Sequence, residues 1–567
     1  MDIKSRLENS FFAAVAGLLL GVVAFFGIPS SALDASIHAQ WLAEFNLSFR
    51  AGDWYPRWLS QANGGLGSPV FYFYPPFPYW ICSVIAGPWL KDSSPQQLLL
   101  FGFALSSAAA GVFGFAAAYA AGATRRIAFI LATLFVLAPN HFGNVMLTRG
   151  AYAEHWAGAW TAAVLWRFQV LNSVQANKVS LGGRTRGALS RATIFLTVAI
   201  AGLLVSHLLS AMLFLPILAV VAFTIRPSLL IYLAFAGLGA AGLAAGYLLP
   251  IAELISYTAG ESSSLFKGAH LELSFLWPAV QLGNWEIAAD SLGLRVALAW
   301  CFYTIIVGVG FVSLHQLALN ENIHASLPIR WFFACWVCLL MMTPLSQPIY
   351  DFLPGLRRIQ FAYRFLTPAA AFLLVGFAGL LRLRDKPSGI MSISVLSLIT
   401  ASTLVLSAII ARGAYLNNKI SNQSDTTSQS QSLDANGEYL PRGGSWTDAK
   451  DHLTRNKLPN GPGRAEVLNR TSRRQEFRIS GKAGNEIVLP LFFFPSWAVI
   501  DIQGRRTQLS MHPGTGLAVF QNEFASNQPI VLVVEREMTR FEFLGMLLSG
   551  VCWFLVTAGL VVSVLKA

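Results

Sequence analysis

Asp34 and His38 stand at i and i+4 in the segment LDASIHAQWLAEF. On a helix they share one face, with Trp41 about one turn further along. A carboxylate beside an imidazole can serve as a general base, hold a divalent metal, or cap a helix and pair electrostatically. Further on, Tyr55, Pro56, Arg57 and Trp58 precede a Gly-rich turn (Asn63, Gly64, Gly65, Gly67) and an aromatic run from Phe71 to Tyr74. Such rings either anchor a chain at the lipid headgroup level or stack on a sugar and guide an isoprenoid tail, with Arg57 on a phosphate. The segment TRGAYAEHW offers Arg149, Glu154 and His155, and LPGLRRIQFAYRF offers Arg357, Arg358, Gln360 and Arg364. Glu253 adds a further carboxylate. His207 either faces the same space or is a satisfied histidine at a helix end.

The elements that must position these groups are membrane spans. Apolar residues make up 54% of the 567, charged residues 12%, and the mean hydropathy is +0.54. Those values describe a polytopic α-helical membrane protein. The formal charge of +12 comes from Lys and Arg gathered in short loops between apolar runs, the positive-inside pattern and not a nucleic-acid-binding face. The five cysteines (Cys82, Cys301, Cys335, Cys338, Cys552) lie in or beside apolar segments, so neither a disulfide framework nor a zinc site is indicated. Lys4 and Arg6 precede an apolar run that reads as an uncleaved first helix.

Runs of near 20 apolar residues, the length a bilayer asks for, begin around 11, 98, 127, 156, 192, 209, 228, 296, 329, 366, 390 and 541, about twelve in all. With the N-terminus in the cytoplasm, the basic clusters at Arg125 and Arg126, at Lys178, Arg184, Arg186 and Arg191, at Arg226, at Arg382, Arg384 and Lys386, and at Lys566 all fall on the cytoplasmic side. The C-terminus is then cytoplasmic too. The stretch from Phe77 to Leu90 is too short to span and is broken by Pro78 and Pro88, so it reads as re-entrant or interfacial.

The outer loops are long, the first from 29 to 96. Arginines on the outer face run against the positive-inside trend and call for an anionic ligand or for pairing with Asp34, Glu154 or Glu253. The organisation expected is a membrane module over 1–411, a β-rich outer domain over 412–540, and a final span over 541–567. The outer domain opens with a flexible linker, Asn417 to Ser432. Strands are then predicted at Glu476 to Ile479, Glu486 to Phe493, Ala498 to Ile502 and Ile530 to Val534, as a small sandwich with a turn at Asp501 and Gly504. The middle thirds of the spans are nearly free of ionisable residues, which weighs against a proton-coupled transporter.

The motifs DASIH, YPRWLSQANGGLGSPVFYFYPPFPYW, RGAYAE and IQFAYRF resemble the bacterial membrane family labelled pyruvoyl-tetrahydropterin-synthase-related, a label that does not describe an activity. Its layout is similar to the GT-C glycosyltransferases, which include protein mannosyltransferases, oligosaccharyltransferases and lipid A aminoarabinose transferases. FFFPSWAVIDIQG and the last helix resemble the C-terminal part of related proteins. The resemblance implies a GT-C-like enzyme of a bacterial inner membrane. It would move a sugar from a polyprenyl-phosphate donor to an acceptor glycan, lipid or protein on the periplasmic face. Asp34 matches the acidic residue of the first outer loop that is catalytic in that superfamily, and Arg57, Arg149, Arg358 and Arg364 are the candidates to steady the departing phosphate. His38, Tyr55, Glu154 and Glu253 complete the expected substrate-binding set. Asp34 is followed by Ala and Ser where the commonest GT-C pattern has a second acidic residue, which leaves a divalent metal on Asp34 and His38 open. The competing reading is a non-catalytic transporter of lipid-linked glycans or an envelope polysaccharide assembly factor.

Overall fold

The computed structural model describes residues 10–21 in part, 34–176 apart from 91, 185–259, 304–314 apart from 311, 326–382 apart from 360, 438–455, 464–500, 506–522 and 529–565. The expected span from 390, the linker from Asn417 to Ser432, Gln360 and the turn at Asp501 and Gly504 lie outside these residues, and the expected spans from 11 and 296 are described only in part.

The segment expected as the first outer loop folds as helix α1 (Ala35–Arg50), a glycine-rich turn, and α2 (Phe77–Ala86). At ten residues α2 is about 15 Å long, half of a bilayer's hydrocarbon core, so it does not cross it. Then follow α3 (Pro95–Ala120), α4 (Arg125–Val136) with its π-helical continuation Pro139–Arg149, α5 (Tyr152–Ala176), α6 (Thr185–Ser206) and α7 (Leu208–Ile225). Next come α8 (Ser228–Leu243), α9 (Ala245–Leu254), α10 (Ser326–Leu340), α11 (Gln347–Phe352) and α12 (Leu366–Arg382). Ser94 and Gln97 close a capping box at the start of α3, and the Thr124 side chain accepts from the Ile127 amide at the start of α4.

Six described helices are long and apolar enough to cross a membrane, or eight if the bent pairs α8–α9 and α10–α11 each count as one span. The expected twelve also included the runs from 11 and 296, described in part, the run from 390, which is not described, and α5. That helix has the length, 25 residues, but carries Glu154, Arg167, Gln169 and Asn172 and lies buried among its neighbours. It packs along α3 on one side and α6 on the other, at the centre of the bundle.

Beyond the bundle come α13 (Trp446–Arg455) and eight strands: β1 (Arg464–Arg470), β2 (Arg474–Ser480), β3 (Glu486–Phe492), β4 (Trp497–Ile500), β5 (Arg506–Gln508), β6 (Ser510–Met511), β7 (Leu517–Gln521) and β8 (Ile530–Arg536). They form two antiparallel sheets, β1-β2-β8-β4-β5 and β3-β7-β6. Alternate residues point inward, Phe477 and Ile479 from β2 beside Leu532 and Val534 from β8, and meet Ile487, Leu489 and Leu517 from the other sheet in one buried cluster. Trp58 of the first outer loop joins that cluster edge-on to Trp497, with ring centres 5.4 Å apart, and the Phe492 amide donates to the Leu66 carbonyl. The sheets are thus bonded to the first loop by backbone and core alike.

After β8 the chain enters α14 (Arg540–Leu565), whose spanning window is only 6% buried among the described residues. Its contact with α9 is made through small residues. A Cβ on Gly545 would stand 2.5 Å from the Ala245 carbonyl oxygen, and the Ser549 hydroxyl accepts from the Gly246 amide.

Candidate active site

Asp34 immediately precedes α1, and its side chain makes no capping bond to that helix. Its amide instead donates to the Arg149 carbonyl at 2.6 Å, and its carboxylate Oδ2 lies 3.7 Å from Arg149 Nη2. The Asp34 side chain is 41% exposed, whereas those of Arg149, Glu154 and Arg364 are 7%, 2% and 7%. The approach of Asp34 to Arg149 depends on Gly150, which ends the π-helical segment at φ +65°. A side chain there would meet the Ala35 Cβ at 2.7 Å and the Ala35 amide nitrogen at 2.9 Å. Glycine is needed both for the left-handed backbone and for the space.

Behind Asp34 the charges are shared out. Arg149 Nη1 donates to Glu154 Oε2 at 2.6 Å, and Arg364 Nε lies 3.5 Å from the same oxygen. Arg364 also donates through Nη1 to the Ile359 carbonyl. The rings of Phe361 and Tyr363, stacked 5.1 Å apart, lie 5.6 and 5.3 Å from the Arg149 guanidinium. Two guanidiniums therefore face one buried carboxylate, and Asp34 supplies the balancing charge from the open edge. Without Asp34's charge the group is net positive, which suits an anion.

His38 turns away from Asp34 toward two tyrosines. Its Nδ1 is 2.8 Å from the Tyr79 hydroxyl and its Nε2 is 3.4 Å from that of Tyr74. Burial pushes its pKa down to about 4, against the raising charge of Asp34 and with the lowering one of Arg149. A neutral imidazole fixed between two phenols positions them and is no cation at neutral pH. His207 caps α7 through Ser210, as a helix-end histidine does, and also lies within electrostatic range of Glu154, Arg364, Arg149 and His38.

A divalent metal does not fit the residues present. Both ring nitrogens of His38 face tyrosine hydroxyls, Asp34 faces a guanidinium, and among the described residues no three His, Cys, Asp or Glu side chains gather as ligands.

The remaining candidates stand in a second polar group at the start of α14. Arg57 Nε lies 2.7 Å from Glu542 Oε1, with both side chains buried, and its Nη2 donates to the Gly246 carbonyl at 2.6 Å. That carbonyl needs an outside donor because the residue four places on is Pro250, which has no N–H. The Tyr55 ring lies under the Arg57 guanidinium at 3.8 Å, and Arg536 and Tyr72 both bond to Glu542. Glu253 accepts from the Thr539 hydroxyl and the Phe541 amide, so it caps the start of α14. The guanidinium offered by the sequence as a phosphate ligand is thus committed to joining the first loop to the last helix. The side chain of Arg358 is outside the described residues; its backbone belongs to the 3-10 turn Pro354–Ile359. Tyr79, Tyr363 and Glu542 are participants that sequence reasoning missed. Glu542 was open to notice as an acid in the first turn of an otherwise apolar span.

No protein-family model matches the chain, and no curated protein matches it. Among solved structures, the chain is similar to the oligosaccharyltransferase of Archaeoglobus fulgidus in its apo form, with 13% identity, a TM-score of 0.42, and coverage of 79% of this chain and 58% of that one. AglB of the same organism, in complex with an inhibitory peptide and a dolichol-phosphate, gives 15% identity and a TM-score of 0.39, covering 80% and 58%. The A. fulgidus enzyme in complex with Zn and sulfate gives 15% and 0.37, covering 80% and 56%. This chain spans 56 to 58% of the length of those proteins. At these scores the likeness is one of outline and says nothing about the site.

Proposed function

We propose that this multi-pass membrane protein is a glycosyltransferase of GT-C type that moves a sugar from a polyprenyl-phosphate donor to a hydroxyl or amide acceptor. The observation that carries the reading is Asp34: an exposed carboxylate at the edge of an otherwise buried group of two arginines and one glutamate. In this reading Asp34 accepts the proton of the acceptor as its heteroatom attacks the anomeric carbon. The bond from that carbon to the donor phosphate breaks, and the phosphate leaves with the bonding pair. Once Asp34 is protonated, Arg149 and Arg364 are balanced by Glu154 alone, and their surplus positive charge falls where the phosphate's negative charge develops. The sequence resemblance supports the same roles, and the basic loops, gathered on the opposite side of the spans, support a site facing the periplasm from a bacterial inner membrane. In the same reading a membrane module over 1–411 is followed by a β-rich unit over 412–540 and a final span over 541–567.

The test is turnover by purified protein of a panel of polyprenyl-phosphate sugars with sugar-hydroxyl, lipid and peptide acceptors, followed as released lipid phosphate by mass spectrometry. Release from at least one donor is expected. Donor bound by the protein but never consumed with any acceptor would favour a transporter or assembly factor.

A further inference from the structure

The segment that leads into α13 is pinned to the turn that follows α9 and to the loop between α1 and α2. The Ala259 amide donates to the Leu440 carbonyl at 2.8 Å, the Arg442 amide donates to the Tyr257 carbonyl at 2.9 Å, and Thr258 and Pro441 form an antiparallel bridge between them. Trp446 Nε1 adds a bond to the Asn63 carbonyl. This strap holds Tyr439 against the loop's aromatic residues. The Tyr439 ring is parallel to Phe73 within 7° at 6.0 Å and is 6.1 Å from Trp41. Trp41 in turn packs on Tyr74 at 5.2 Å and on His38 at 5.6 Å, one turn along the helix that Asp34 begins. Trp41 is buried, whereas Phe73, Tyr74 and Tyr439 are half-buried.

We infer that Tyr439, Phe73 and Tyr74 form an aromatic platform that takes the apolar face of a sugar ring beside Asp34, so that the leading segment of the β-rich unit supplies a specificity wall to the membrane site. The inference rests on the transferase reading and deepens it. A pyranose presents ring C–H groups on one face and hydroxyls around its edge. Aromatic rings match the first, and a small number of fixed polar groups, here Asp34 and the Tyr74 hydroxyl, match the second. His38 serves the platform by holding the Tyr74 and Tyr79 hydroxyls. A strap fastened by backbone bonds at Leu440 and Arg442, directly after Tyr439, presents its ring with little ordering left to do on binding.

The experiment measures binding to Asp34→Asn protein, so that turnover does not intrude. The probes are undecaprenyl phosphate bearing a hexose or an N-acetylhexosamine, each compared with bare undecaprenyl phosphate. At least one sugar-bearing lipid should bind more tightly than the bare lipid. In the same background Tyr439→Ala should shrink that preference about five- to tenfold, a change of the size a lost aromatic contact gives, and Tyr439→Phe should keep it. An unchanged preference in Tyr439→Ala, or no preference for any sugar-bearing lipid before the change, overturns the platform. The two proposals fail separately. Turnover that needs Asp34 while Tyr439→Ala keeps the preference sinks the platform alone, and a preference lost in Tyr439→Ala with no turnover by the wild type upholds the platform and sinks the transferase.

Discussion

Asp34 differs from Arg149, Glu154 and Arg364 by its 41% exposure. Glu154 holds two guanidiniums on one oxygen, so Glu154→Gln would leave Arg149 and Arg364 buried with only Asp34 to face them. The loss is expected to be about 3–5 kcal/mol of stability, as for other broken buried pairs, read as earlier denaturant unfolding in detergent. His38 makes a pH prediction whose sign follows from its pKa, lowered from 6.5 to about 4 by burial. Between those values the unfolded chain takes up a proton that the folded one refuses, so this contribution is intact above 6.5 and is lost as the pH falls toward 4. Thermal unfolding at pH 7 and pH 5 should therefore show a smaller drop for His38→Gln than for the wild type; an equal drop would contradict a buried neutral imidazole. At this scale the sequence made the charged residues conspicuous, because an arginine or glutamate between the spans of so apolar a chain stands out. It did not say which of them meet. Arg57 and Glu253 looked as eligible as Arg149, and their partners at the start of α14 are close to 300 residues or more away in the chain.

The elements that bring the group together are short and irregular, and this is where sequence patterns are weakest. The four strands read from β-type composition are present as β2, β3, β4 and β8 within a few residues, and α2 is too short to span, as its prolines and length implied. The π-helical segment Pro139–Arg149 left no such trace. It begins on a proline and ends at a left-handed glycine, and it delivers Arg149 to Asp34 where a regular helix would turn that residue elsewhere. Gly150→Ala should therefore act on the reaction through Ala35 and Asp34, with kcat falling about tenfold or more, a barrier change of about 1.4 kcal/mol. Donor binding should change less, since Arg364 reaches the group from another segment. Steady-state kinetics with separate kcat and KM would show it, and a variant as fast as wild type would mean that the Arg149–Asp34 approach is not needed.

The whole molecule joins two kinds of core: an apolar helical bundle centred on α5 and a β-sandwich that takes Trp58, Leu66 and Tyr72 from the first outer loop into its own buried cluster. The loop is thereby held from both sides, by the bundle through Trp41 and Phe45 and by the sandwich through Trp58. Composition made the membrane class plain, but this clasp is non-local and has no periodic signature. Orientation is tested by reporter fusions, expected to report cytoplasm at 180 and 385 and periplasm at 450; a cytoplasmic report at 450 would reverse the assignment of the site's face. The most direct test of the central claim is the release of lipid phosphate from the consumed donor by Asp34→Asn protein, measured beside its binding of that donor. Binding within a few-fold of wild type with release lowered by about a thousandfold or more, within the range expected for a lost general base, is the expected result. Release at the wild-type rate would contradict the account.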